Sequence, residues 1–173
     1  MKFKCSGTTY IDSSNPDKTF SHYNKILSGN LHKSSSESTM YKSLITFDIS
    51  RLQHYPIESA YLCLFVDNIN SISSYYSNDT LSVYRNIAAF NMDSVTWNNS
   101  PLSDSQIYLS ITPNNLLKYI KIDITDYINY WLDGGKNYGI NLEANNFYSS
   151  LVTFNSSNSP NPPWLFVEYK SIK

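Results

Sequence analysis

Short segments rich in β-branched, aromatic and aliphatic residues recur along this chain, and clusters of Ser, Asn, Asp, Gly and Pro separate them. Short strands with frequent turns are typical of an all-β sandwich. The predicted strands cover residues 3–11, 24–28, 42–49, 58–66, 80–87, 106–111, 119–124, 138–144, 150–155 and 164–170. We therefore expect an antiparallel, jelly-roll-like β-sandwich.

The length of the chain favours a single domain. At 173 residues, folding buries roughly 70% of the surface of the unfolded chain, which is enough for a self-sufficient core. The polar stretches at 34–38, 68–78 and 155–163 are interpreted as loops within that domain rather than as linkers. The predicted domain is therefore 1–173.

One helix is predicted among the strands, near residues 125–133. Its apolar positions follow the helical spacing i, i+4, i+7, i+8 and are Ile124, Ile128, Trp131 and Leu132. Thr125 or Asp123 can cap the start, and Gly134 can provide a left-handed exit. The pattern predicts a short helix packed on one end or edge of the sandwich.

The charge balance argues against two classes of partner. Thirteen basic and fourteen acidic side chains give a net charge of -1, and no stretch clusters Lys or Arg as binding to nucleic acid requires. No apolar run is long enough to cross a bilayer, so membrane insertion is not expected. Residues 1–7 lack the apolar core of a signal peptide, so we expect a surface protein to be delivered by another route.

The two cysteines, Cys5 and Cys63, are too far apart in sequence for a zinc knuckle. Strand alternation in 60–66 places Ala60 and Leu62 on one face and Cys63 on the other, so Cys63 is expected to point outward. The sequence leaves three states open: two free thiols, a disulfide within the chain, or a crosslink between copies.

No cofactor is firmly indicated, although a calcium site is one interpretation of three acidic residues. Asp12, Asp17 and Asp67 are the candidate ligands, because calcium prefers carboxylate and carbonyl oxygens in loops. No EF-hand spacing is present, and ordinary turn capping explains the same residues.

The sequence carries no arrangement that predicts catalysis, and we expect a protein that is not an enzyme. It lacks the HExxH and Gly-x-Ser-x-Gly motifs. Asp123 and Asp126 are better explained by helix capping than as the paired carboxylates of a glycosidase. Trp97 has two interpretations: it closes one end of the core, or it stacks on a sugar.

Seven motifs in order along the chain resemble one known family. They are residues 9–17, 43–50, 57–62, 94–101, 122–125 with Trp131, 137–140 and 163–169. The series resembles the DNRLRE domain family, which is grouped with carbohydrate-binding modules. The resemblance implies a non-hydrolytic, jelly-roll-like sandwich of extracellular and polysaccharide-associated proteins. Residues 153–158 depart from it, since relatives tend to carry Ser-Arg-Glu after a Phe there.

The first functional hypothesis is a structural subunit of a bacterial surface assembly, such as a spore appendage, filament or coat. Low net charge permits self-association. Residues 1–5 could add a strand to a neighbouring copy, and Cys5 and Cys63 could crosslink copies. This hypothesis places the protein on a cell or spore surface, and its partner is a second copy of the chain.

The alternative hypothesis is a carbohydrate-binding module, suggested by the resemblance and by a composition rich in Tyr and Asn. Aromatic rings stack on sugar faces, while amide side chains exchange hydrogen bonds with hydroxyls. The candidate glycan contacts lie in two polar stretches and are Tyr75, Tyr76, Asn145, Asn146 and Tyr148. Its partner is a polysaccharide.

Overall fold

The predicted strands form two antiparallel sheets that face each other across a shared hydrophobic core. The computed structural model describes residues 1–32, 37–52, 56–70, 79–144 and 150–170. Its strands are β1 (Lys2–Lys4), β2 (Gly7–Asp12), β3 (Lys25–His32), β4 (Ser38–Thr46), β5 (Ile57–Asn70), β6 (Asp79–Asn86), β7 (Ser103–Ile111), β8 (Lys118–Asp123), β9 (Ile140–Ala144), β10 (Leu151–Asn155) and β11 (Trp164–Tyr169). The all-β sandwich with one short helix is confirmed.

The two sheets have different strand orders. In the first, which we call sheet A, β5 pairs with β8 along one edge and with β11 and β10 along the other, and β1 adds to β11. In the second, sheet B, β4 pairs with β2 along one edge and with β3 and β9 along the other; β6 and then β7 continue from β9. Strand β7 is therefore the outermost strand of sheet B.

Strand β3 joins the two sheets. Residues 25–28 pair with β10 of sheet A, while residues 29–32 pair with β4 of sheet B. The change of sheet falls at Gly29, whose φ of 118° is strained for any other residue. A Cβ at Gly29 would also overlap the carbonyl oxygen of Ser150. Both the positive φ and the nearby carbonyl oxygen therefore require glycine at this position.

The first predicted strand is two strands. The pattern in 3–11 is continuous, but β1 lies in sheet A and β2 lies in sheet B. The crossing is held by hydrogen bonds from Cys5 N to Pro163 O (3.4 Å) and from Ser6 N to Thr46 O (2.9 Å). Burial periodicity reports which residues face inward, and it does not report which sheet supplies the partner strand.

Helix α1 spans Thr125–Leu132 and packs on the core as predicted. Ile128 and Trp131 are 0% and 5% exposed. Asp123 Oδ1 accepts hydrogen bonds from the Thr125 N–H and hydroxyl at 2.9 and 2.6 Å, and Gly134 follows the helix with φ 101°. In the described part of the chain, no helix has the length and apolar character needed to cross a bilayer.

Candidate functional site

The chain between β6 and β7 crosses the outer face of sheet B and covers only part of it. Val95 of this crossing segment, 87–102, forms a small buried cluster with Ile11 of β2 and Leu44 of β4. Trp97 packs against the edge of that cluster and is half-buried. The segment thus lies over the outer face of β2 and β4, and Trp97 is part of it.

Short polar contacts fix the position of Trp97. Asn99 Oδ1 accepts a hydrogen bond from Thr96 N at 2.6 Å. Asn98 donates through Nδ2 to Asp17 Oδ1 at 2.8 Å and through its backbone N to the Pro16 carbonyl at 3.1 Å. These bonds hold the backbone on either side of Trp97, and the indole itself packs against the Val95 cluster. A preorganised site of this kind loses less conformational freedom when a ligand binds.

A groove of about 220 Å³ opens beside Trp97. Its lining residues are Gly29, Met40, Tyr41, Lys42, Trp97, Glu143 and Ala144. Lys42 Nζ lies 2.6 Å from Glu143 Oε2 and 5.2 Å from the centroid of the Trp97 ring. The groove therefore combines an aromatic ring with one strong hydrogen-bond donor and one strong acceptor.

A buried amide lies next to this ion pair. Asn141 is two residues before Glu143 on β9, so both side chains are on the same face of the strand. Asn141 is 3% exposed and donates through Nδ2 to Glu143 Oε2 at 3.5 Å. Among the described residues its Oδ1 has no hydrogen-bond partner, which is uncommon for a buried acceptor.

Sequence reasoning weighed Trp97 but missed Lys42 and Glu143. Both are on strands whose alternation puts them on the outer face, so that signal was available. Their meeting depends on the pairing of β4 with β9, where Ser43 lies opposite Leu142. No local pattern in the sequence predicts the pairing of β4 with β9.

The five glycan contacts predicted from composition lie outside the described residues. They are Tyr75 and Tyr76 in 71–78, and Asn145, Asn146 and Tyr148 in 145–149. Ala144, which immediately precedes the second stretch in the chain, lines the groove. These five residues therefore remain predictions.

The prediction that Cys63 points outward to solvent is wrong, because its side chain is 0% exposed. It is on the outer face of β5, but aromatic side chains cover that face; its cross-strand partner is Trp164. Cys5 is 5% exposed, and both thiols are free. Burial raises the pKa of Cys5 to about 11 and also raises that of Cys63. A crosslink between copies would therefore require a buried thiol to become exposed.

The three candidate calcium ligands have other partners. Asp12 accepts hydrogen bonds from Ser14 N and Asn15 Nδ2, both at 2.7 Å. Asp17 holds the crossing segment through Asn98, and Asp67 pairs with Lys25 at 2.5 Å. In the ranges that the structure describes, no three His, Cys, Asp or Glu side chains form a group that could hold a metal ion.

The outer face of sheet A carries an aromatic cluster that the sequence did not predict. The rings pack edge to face: Phe65 with Tyr119 at 5.3 Å, Tyr119 with Trp164 at 5.7 Å, and Trp164 with Phe166 at 6.2 Å. Lys2 Nζ lies 3.6 Å from the centroid of Trp164. These rings engage one another and cover Cys63, so their arrangement is that of a small hydrophobic cluster.

Among curated proteins the chain is similar to the tRNA nuclease WapA of Bacillus subtilis strain 168, with 24% identity over 178 residues. The same identity is found with the tRNA3(Ser)-specific nuclease WapA of Bacillus spizizenii and the tRNA(Glu)-specific nuclease WapA of Bacillus subtilis subsp. natto. In each comparison 95% of this chain is covered, and the chain spans only 7% of the relative. Residues 1–169 match the family model of carbohydrate-binding module family 96, and the chain belongs to that family.

Proposed function

We propose that this chain is a non-catalytic carbohydrate-binding module that acts at a bacterial surface and holds a glycan in the groove beside Trp97. The observation that carries this proposal is the half-buried indole ring of Trp97, which lines the groove next to the Lys42–Glu143 pair. Membership of a carbohydrate-binding family supports a carbohydrate as the ligand, and the groove beside Trp97 supports this location for it. Its volume of about 220 Å³ suits a sugar residue rather than a larger ligand.

The groove offers groups that complement both the apolar face and the hydroxyls of a sugar ring. The C–H face of a pyranose is apolar and can stack on the indole of Trp97. The hydroxyls around its rim both donate and accept hydrogen bonds. Lys42 can donate to them and Glu143 can accept from them, and charge-assisted bonds of this type are stronger than neutral ones.

The same groove supports binding better than hydrolysis. A glycosidase acts with two carboxyl groups on either side of the scissile bond. Glu143 is the single carboxylate among the groove-lining residues that the structure describes, and Lys42 already neutralises it. The tRNA nuclease activity in the names of the WapA relatives belongs to proteins of which this chain spans 7%.

Assembly through the termini and thiols receives less support than glycan binding. Residues 2–4 pair with β11 of the same chain, so the N-terminal strand already has a partner on one edge. Cys5 and Cys63 are buried. The surface location rests on the extracellular, polysaccharide-associated character of the family that the motifs resemble.

Affinity gel electrophoresis tests the proposal. The wild-type chain is run through gels containing hydroxyethyl cellulose, laminarin, galactomannan, xyloglucan, alginate or polygalacturonate. We expect retardation on at least one of them, and Trp97→Ala should abolish it. Tyr119→Ala is the matched control, because Tyr119 is an exposed aromatic side chain on the outer face of sheet A. It should migrate as wild type does.

Two results would contradict the proposal. One is migration of the wild-type chain unaffected by every polysaccharide. The other is that Trp97→Ala is retarded as strongly as the wild type, while Tyr119→Ala is no longer retarded. That result would place the binding surface on sheet A. Thermal unfolding of each variant separates a lost contact from a lost fold.

A further inference from the structure

Strand β7 ends sheet B with an edge that carries little protection against pairing. It pairs with β6 on one side, and no strand in the described ranges pairs with its other side. In such a strand every second residue points its N–H and C=O groups away from the sheet, where another strand can pair with them. Proteins usually protect these edges with charged side chains, proline, a bulge or a very short strand.

The edge strands of sheet A are protected in this way. Strand β1 is 3 residues long, and two of these are Lys2 and Lys4. Strand β8 carries Lys118, Lys121 and Asp123 among its 6 residues. A second strand that approached either edge would have to desolvate these charges, which is costly.

Strand β7 has such protection only over its first residues. Ser105, with φ 50°, is an extra residue that interrupts the pairing with β6, and its carbonyl oxygen accepts a hydrogen bond from Tyr127. Asp104 pairs with Arg85 at 3.0 Å. Residues 106–111 contain no charged residue and no proline. The second part of β7 therefore lacks the devices that protect β1 and β8.

From this contrast we infer that two copies of the chain associate through β7, with the two β7 strands antiparallel about a two-fold axis. An uncharged edge can face a copy of itself without the repulsion that lysine-bearing edges would produce. A two-fold interface uses the same patch of both copies, so that patch must complement itself.

Exposed apolar side chains at both ends of β7 provide this self-complementarity. Leu102 immediately precedes the strand and is 70% exposed, while Leu116 and Leu117 follow the turn after it and are 41% and 64% exposed. Antiparallel pairing brings the start of one strand to the end of the other. Leu102 of one copy therefore faces the two leucines of the other, and symmetry repeats the contact. Tyr108, which is 66% exposed, lies close to the axis.

The small size of this interface predicts a weak dimer. Stable complexes bury about 1,200–2,000 Å² in total, and one strand pairing with a few leucines on either side falls below that range. We therefore expect a dissociation constant on the order of 100 µM.

The dimer has a consequence for glycan binding, and this consequence alone rests on the proposed function. Sheet B continues from one copy into the other, and antiparallel neighbours keep the same face of the sheet on the same side. The two grooves beside Trp97 then open on one side, seven strand spacings or about 34 Å apart. A single polysaccharide chain could engage both grooves and gain avidity.

Sedimentation of the wild-type chain between about 5 and about 500 µM tests the inference. At the upper concentration the weight-average mass should reach about 1.7 times that of the monomer. Tyr108→Lys places two like charges close to the axis and should keep the chain monomeric. Tyr23→Lys is the matched control, because Tyr23 is 48% exposed and contacts Tyr10 of β2, at the opposite edge of sheet B. It should dimerise as the wild type does.

A second variant and a second measurement keep the result independent of the folding of Tyr108→Lys. Leu102→Ser changes an exposed side chain and should weaken the dimer about tenfold, because it removes an apolar contact from each half of the interface. Hydrogen exchange identifies the edge. Amides in 107–111 should exchange about threefold more slowly at about 500 µM than at about 5 µM, and those of β8 should not change.

Three results would overturn the inference. The first is a monomer at about 500 µM, in which case the edge would suit a strand of another protein. The second is undiminished dimerisation of folded Tyr108→Lys or, where that variant does not fold, of Leu102→Ser. The third is a dimer whose protected amides lie in β1 or β8. These measurements use no polysaccharide, so they do not depend on whether the groove beside Trp97 binds a glycan.

Discussion

Replacing Gly29, where β3 changes sheet, should destabilise the protein through two contributions that can be measured separately. Gly29→Ala forces a side chain into φ 118°, a conformation that costs about 1–3 kcal/mol in a residue other than glycine. The new Cβ also overlaps the Ser150 carbonyl oxygen. Relieving such an overlap in a packed structure costs about 1–3 kcal/mol more.

Together the two costs give about 2–6 kcal/mol, a large part of the 5–15 kcal/mol by which domains are usually stable. For a chain of this size, each kcal/mol lowers Tm by about 2–4 °C. Gly29→Ala should therefore lower Tm by about 4–24 °C in differential scanning calorimetry. The midpoint of urea unfolding should fall in parallel, because the substitution acts on the native state.

Gly134→Ala is the matched control. Gly134 has a similar φ of 101°, but a Cβ built there has no heavy atom within 4 Å. It carries only the conformational cost, so its loss of Tm should be clearly smaller than that of Gly29→Ala. Equal losses in the two variants would refute the claim that the Ser150 carbonyl confines strand β3 at the change of sheet.

The buried thiols make two further predictions. A thiol reagent such as dithionitrobenzoate should leave Cys5 and Cys63 of the native protein unmodified. In guanidinium chloride the same reagent should titrate two thiols. Rapid labelling of the native protein would contradict the burial of the thiols. Because burial raises the pKa of Cys5 from 9.0 to about 11, the folded state favours the protonated thiol. That contribution is complete below pH 9 and is lost as pH rises from 9 to 11, by at most about 3 kcal/mol. Cys5→Ala should flatten this alkaline decline in urea unfolding, and an unchanged decline would contradict the assignment.

Local periodicity predicted the strands and the helix well, because those patterns depend on which side of an element is buried. The helix stripe at Ile128 and Trp131 is buried as expected. The error at Cys63 shows the limit of this reasoning. Alternation assigned its face correctly, but burial of that face depends on Trp164 and Tyr119 from distant strands. The spacing of residues along one strand does not show which side chains from distant strands will cover it.

The candidate site was harder to predict for the same reason. Trp97 stands out in the sequence, yet its role depends on what the crossing segment covers and what it leaves open. Lys42 and Glu143 become a pair only when β9 joins β4. Residue types that suit sugar binding can be found from sequence, but the surface on which they meet is a property of strand order.

The two outer faces of the sandwich show why a count of aromatic residues does not locate a sugar site. Stacking requires a ring face that the protein does not already use. On sheet A, Trp164 meets Phe166 at 87° and has Lys2 over its ring, so a sugar would have to displace the protein's own contacts. Trp97 instead packs on the Ile11 and Leu44 cluster while it lines an open groove. Lys42 lies 5.2 Å from the centroid of the Trp97 ring, whereas Lys2 lies 3.6 Å from that of Trp164. Binding at Trp97 therefore displaces fewer of the protein's own contacts, and a glycan should prefer the groove on sheet B.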